Sequence, residues 1–155
     1  MRRRNFIAGL ASVTTAWPLA AHAQQPDKMR RVGVLAYFPE AQAILAAFKR
    51  RLVDLGWTEG RNLSIDYRFI DDIAGGRNKS DVQRDDFTEQ IRAAAEDLVA
   101  TAPEVIFASS NVSVAPLQKA TSTIPIVFTQ VSDPVGSGFV ASLARPGGNI
   151  TGFQG

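Results

Sequence analysis

The sequence predicts an α/β fold in which a parallel sheet is layered between helices, giving a three-layer parallel-sheet lobe. Short apolar runs alternate with longer stretches whose apolar residues recur at helical spacing. The first run is apolar on both faces, as a strand inside a parallel sheet must be. Polar and small residues gather just after each run, where a helix would begin. Alternation at these lengths predicts right-handed crossovers and helices on both faces of one sheet.

Arg31-Val32-Gly33-Val34-Leu35-Ala36 reads as the first strand and Tyr37 to Glu40 as a turn. A helix is predicted from Ala41 to Leu55, with Ile44, Leu45, Phe48, Leu52 and Leu55 as its buried stripe and Gly56 as a left-handed cap. Asn62 to Phe69 alternates cleanly. Leu63, Ile65, Tyr67 and Phe69 face one way and Ser64, Asp66 and Arg68 the other, the pattern of a strand near a sheet edge. Asp71 to Asp85 is polar, holds Gly75-Gly76, and reads as an exposed loop. Asp86 and Glu89 have capping-box spacing and predict a helix start near Asp86.

Val105 to Ala108 is a buried strand, Val114 to Ala120 a short helix, and Pro125 to Thr129 a fourth strand. Ser132-Asp133-Pro134 predicts a turn and Gly138 to Leu143 a further short helix. Asn149 to Phe153 starts another extended segment.

The amino terminus has a separate character. Met1-Arg2-Arg3-Arg4-Asn5-Phe6-Ile7, an apolar stretch to Ala20 and Ala21-His22-Ala23 form the three parts of a secretory signal. The paired arginines before Asn5-Phe6-Ile7 have twin-arginine spacing; an ordinary secretory signal with an extra arginine is the alternative. The apolar run is too short to span a membrane and contains Pro18. The expected organisation is a signal peptide over 1–23, one α/β domain over 24–150, and a short closing segment at 151–155. Cleavage after Ala23 would make the product periplasmic, with no direct membrane insertion.

Removing that signal changes the chemistry available. Arg2, Arg3 and Arg4 leave, so 17 basic residues become 14 against 15 acidic ones, and the net charge falls from +2 to −1. Nothing in that balance favours nucleic acid. The chain has no Cys and its one His, His22, leaves as well. Ser–His and Cys–His catalysis and zinc sites built from His and Cys are then excluded within residues 24–155. Asp66, Asp71, Asp72 and Asp133 have no spacing that demands a metal or acid–base chemistry. The expectation is no enzyme, no metal and no cofactor.

In an open parallel sheet ligands sit outside the carboxyl ends of the strands. That singles out Tyr37 and Phe38 as an aromatic wall, Ser109, Ser110 and Asn111 before a helix start, and Ser132 and Asp133 after the next strand. A helix start offers free N–H groups and a partial positive charge, suited to a carboxylate or phosphate. The plainer alternatives are that Asn111 or Ser113 only caps the helix, that Asp133 only forms a turn, and that Tyr37 and Phe38 pack against their own domain.

Several stretches resemble one family. Gly56-Trp57-Thr58-Glu59-Gly60-Arg61-Asn62-Leu63, Ile124-Pro125-Ile126-Val127-Phe128, Asp133-Pro134-Val135 and above all Ser142-Leu143-Ala144-Arg145-Pro146-Gly147-Gly148-Asn149-Ile150-Thr151-Gly152 are similar to blocks of ABC-transporter substrate-binding proteins of the tryptophan-binding type. The resemblance covers nearly the whole chain. It implies a type I periplasmic-binding-protein fold, in which two flavodoxin-like lobes close on a small molecule and deliver it to an ABC permease in the inner membrane. It carries Ser109, Ser110, Asn111, Ser132 and Asp133 into the ligand site, and Thr151 and Gly152 into the crossover to a second lobe, with Thr151 also expected to contact the ligand. An amino acid or other small carboxylate is the implied ligand. Two features depart from the family: the Tyr37 to Glu40 loop is short and aromatic, and Gly75 to Asp85 is long. Ending at Gly155, the chain reads as one lobe of such a receptor, a truncated half. A self-contained flavodoxin-like partner module is the competing expectation.

Overall fold

A computed structural model describes residues 29–38, 41–71 and 81–153; the signal region, most of the glycine-containing loop and the Pro39-Glu40 turn lie outside them. The elements are β1 (Arg30–Phe38), α1 (Ala41–Asp54), β2 (Leu63–Asp71), α2 (Asp81–Ala100), β3 (Val105–Ala108), α3 (Asn111–Ala120), β4 (Ile126–Phe128) and β5 (Ile150–Gly152). All five strands are parallel, in the order β2-β1-β3-β4-β5. The predicted α/β class, the inner position of β1 and the edge position of β2 all match.

Strand register sorts the side chains into rows that alternate between faces. Tyr67, Val34, Phe107, Val127 and Thr151 lie in one row. α1 covers the β2, β1 and β3 part of that face, packing Leu45, Ile44, Phe48 and Leu52 on Val34, Leu63, Ile65 and Phe107. The Phe48 and Phe107 rings stack with centroids 4.8 Å apart. Cover ends there, since Val34 is 0% exposed, Val127 is half-buried and Thr151 is exposed. The opposite face carries the row Gly33, Ile106, Ile126 and Ile150, beneath α2 and α3. Leu98 of α2 reaches the sheet over Gly33, where an added Cβ would lie 3.1 Å from the leucine side chain.

α1 ends as its sequence predicts. Gly56 takes φ 87°, its N–H donates to Val53 O, and the Trp57 N–H donates to Leu52 O. This paired return satisfies two carbonyls left open at the helix end. The turn into β2 is held by Asn62, whose Oδ1 accepts from Thr58 N at 2.7 Å while its Nδ2 donates to Gly56 O at 2.9 Å.

Two predicted elements differ. α2 begins at Asp81, not near Asp86, so the polar stretch read as a loop to Asp85 is partly helix. Asp86 caps nothing; it accepts a side-chain bond from Gln90 one turn on. The predicted helix from Gly138 to Leu143 is absent. Gly138 adopts φ 73°, Phe139 and Val140 donate back to Pro134 O, and Ala141 donates to Pro146 O, so the segment's N–H groups bond outside a helical ladder.

Two outcomes follow. An alanine Cβ at Gly152 would sit 2.2 Å from Phe128 O and 2.6 Å from its ring, in the β4–β5 pairing. Gly152→Ala should lower stability by about 2–3 kcal/mol, read as a lower urea midpoint; an unchanged midpoint would mean that β5 is not seated on β4. Burial pushes the Tyr67 phenol above its ordinary value of 10.0, and the adjacent Tyr67 hydroxyl and Glu59 hold the Lys49 ammonium up. Both groups favour their protonated forms in the fold. Their contribution is complete below about pH 10 and falls as pH rises through the raised values. Tyr67→Phe should therefore flatten the alkaline loss of stability in thermal melts between pH 9 and 11.

Candidate functional site

The site lies where the chain reverses direction across the sheet. From β1 the chain crosses to β2 at one edge, then returns past β1 to β3. α1 and α3, which follow β1 and β3, accordingly lie on opposite faces of the sheet, the arrangement at which open α/β sheets have their ligand crevice. Two helix starts point their free N–H groups toward the same end of the sheet.

Ser109 follows β3 directly and is 4% exposed. Its N–H donates to Leu35 O, tying it to β1. Its Oγ is buried and has no hydrogen-bond partner among the described residues. A desolvated hydroxyl in that condition costs about 1–3 kcal/mol. By strand alternation Ser109 shares the α1 side of the sheet with Phe107, at the β1–β3 crevice.

Ser110 is the cap of α3, a role that the plainer alternative gave to Asn111 or Ser113. Its Oγ accepts from Ser113 N at 3.3 Å and lies 3.2 Å from Ser113 Oγ, and its carbonyl receives the Ser113 and Val114 N–H groups. Asn111 does something else. Its Nδ2 donates to Ser132 O at 2.9 Å and to Ser137 Oγ at 3.3 Å, while its Oδ1 accepts from Ser132 N at 2.8 Å. The two loops that the sequence singled out are thus bonded to one another.

Asp133 sits at φ 45° with an exposed side chain, and its Oδ1 accepts from Gly136 N at 2.8 Å. A Cβ at Gly136 would fall 2.0 Å from Asp133 Oδ2, so glycine is required for this turn. Ser132 is exposed. Tyr37 is half-buried against the core beneath α2 and α3. Phe38 is the last residue of β1, and its side chain lies outside the described part. Thr151 is in mid-β5, on the sheet face beside Val127 rather than at the strand ends. Sequence reading missed Gln118, whose Nε2 donates to Gly138 O at 2.9 Å, and Ser137. The Asp133-x-x-Gly136 spacing was the available signal for the turn. No group of three or more His, Cys, Asp or Glu able to hold a metal is present among the described residues.

A family model described as ABC transporter substrate binding protein matches residues 39–154. This chain belongs to that family. A tyrosine-binding protein of Clostridioides difficile is 32% identical over 127 residues, which is 81% of this chain and 33% of the relative. Among solved structures, a ligand-free, open substrate-binding protein with adhesive properties from Clostridium difficile aligns with TM-score 0.67 at 28% identity, over 81% of this chain and 39% of that one. A conserved domain protein from Vibrio cholerae aligns with TM-score 0.68 at 31% identity, over 82% and 39%. A Streptococcus pneumonia domain in complex with L-Trp shares the fold at TM-score 0.67 and 22% identity, over 82% and 39%. The chain thus spans about a third of the curated family member and two-fifths of the solved ones, the extent of a single α/β lobe. No helix among the described residues is long and apolar enough to cross a membrane.

The unpartnered hydroxyl gives a direct expectation. Ser109→Ala should leave stability unchanged or raise it by up to about 1 kcal/mol, since it removes a desolvated group rather than a bond. A loss above that range in urea unfolding would show that Ser109 Oγ is bonded in the folded protein.

Proposed function

We propose that the chain is the ligand-binding amino-terminal lobe of an exported solute receptor serving an ABC importer, with an amino acid or other small carboxylate as ligand. The observation that carries this reading is the buried, unpartnered Ser109 Oγ at a crevice flanked by two helix starts. A carboxylate there would receive the hydroxyl and the open N–H groups of a helix with a partial positive end. A relative named as a tyrosine-binding protein, and a fold neighbour in complex with L-Trp, support an amino acid as the ligand class.

The lobe reading is supported by the half-covered sheet. Parallel sheets are buried on both faces, yet Val127 and Thr151 lack helical cover among the described residues. A cleft closed by a second lobe supplies the rest of the ligand's burial, and an ABC permease of the inner membrane receives the cargo. Residues 1–23 act as the export signal in this proposal, with twin-arginine character, and the periplasm is the destination. The lobe binds and does not catalyse.

Titration of the 155-residue chain with L-tyrosine and L-tryptophan, followed by amide chemical shifts, tests the reading. The Ser109, Ser110 and Val112 amides should shift in a saturable manner at an affinity on the order of millimolar, weak because one lobe supplies part of the contacts. Ser109→Ala should reduce that response. Shifts confined to other surfaces, or none with either amino acid, would remove the ligand assignment.

A further inference from the structure

Two carboxamides project from α3 at positions seven apart, Asn111 at its start and Gln118 two turns along the same face. Asn111 closes on the backbone of Ser132 at two points, 2.8 and 2.9 Å, and Gln118 grips Gly138 O at 2.9 Å. Between these grips the loop braces itself, with Gly136 N on Asp133 Oδ1, Ser137 N on Asp133 O and Gly138 N on Val135 O. Val131, Pro134 and Val140 anchor it from below as buried side chains. Gln130 and Asp133, at φ 54° and 45°, hold a backbone shape that side-chain-bearing residues seldom adopt, and such a shape persists only where its surroundings over-determine it.

The Asn111 amide is also saturated as a donor. One N–H goes to Ser132 O and the other to Ser137 Oγ, which uses both hydrogens of the group. No donor remains for a ligand carboxylate.

We propose that Asn111 and Gln118 are positioning residues that fasten the loop after β4 to α3, so that the loops following β3 and β4 form one rigid wall of the ligand crevice. This rests on the ligand reading above and changes Asn111 from a contact to a support. A wall ordered before the ligand arrives spares the ordering that binding would otherwise require.

Hydrogen exchange of the full 155-residue chain, read by amide NMR, tests it. In Asn111→Ala the Ser132 N–H should exchange about 10- to 100-fold faster, the loss of one to two net hydrogen bonds, while the Ile106 and Ile126 amides in the sheet keep their rates. Asn111→Asp retains the acceptor for Ser132 N–H and should restore much of its protection. Gln118→Ala should speed Phe139 and Val140 exchange and leave Ser132 protected, and it serves as the readout if Asn111→Ala does not fold. The L-tyrosine or L-tryptophan dissociation constant should rise about tenfold in Asn111→Ala. Unchanged Ser132 exchange would overturn the clasp. Faster exchange with an unchanged dissociation constant would overturn the positioning role. If neither amino acid shifts the wild-type amides, the ligand assignment fails, while the exchange rates still decide the clasp.

Discussion

Leu98 resting over Gly33 is the contact on which the rest of the lobe depends. A parallel sheet needs cover on both faces, and β1, flanked by β2 and β3, is where that cover must be closest. Glycine at position 33 lets α2 descend until Leu98 is fully buried against Ile106. α3 then packs beside α2 over the same core, joining Leu117 and Val114 to Leu98 and Ile106. Once α3 is placed, its start fixes Ser109 and Ser110, and its two carboxamides fix the loop after β4. A packing event at the middle of the sheet therefore determines the geometry of polar groups at its end.

The motifs that tie the chain to its family are mostly mechanical. In Ser142 to Gly152, the Ser142 hydroxyl accepts from Arg145 N, Gly147 takes φ 82°, and Asn149 Nδ2 bridges Thr121 O and Ile124 O. Gly152 is small because Phe128 leaves no room. In Gly56 to Leu63 the glycines turn left-handed and Asn62 stitches the turn. These residues bring β2 and β5 to their places. They carry the fold; in the proposed function the ligand is read by the loops after the strands instead.

This division explains which parts were legible in the sequence. Strands and α1 were readable because burial imposes a period of two or 3.6 on neighbouring residues, and β2 showed its edge position by alternating. The start of α2 was misplaced because Asp86 and Glu89 have a spacing that suits a cap and a helix interior equally. The helix expected over Gly138 to Leu143 does not form because the Phe139 and Val140 N–H groups go to Pro134 O and the Ala141 N–H to Pro146 O, partners that tertiary packing sets. The strand-end loops were located correctly by topology. Within them the role of Asn111 was hidden, because its partner Ser132 is 21 residues away and no local pattern announces such a pair.

The site that results is lopsided in a chemically useful way. The Asn111 side chain has no donor left, Ser110 caps its own helix, and Asp133 Oδ1 holds the Gly136 N–H, so three of the most polar candidate side chains serve the scaffold. What the crevice still offers is the Ser109 hydroxyl and helix-start N–H groups, donors in search of an acceptor. In the proposed function an anionic group therefore suits this lobe better than a cationic one. In the proposed receptor, recognition of the remainder of the ligand belongs to the opposing wall of the cleft. In that proposal the lobe presents a donor-rich surface fixed by α3, with the buried Ser109 hydroxyl left unsatisfied by the fold and available to the ligand.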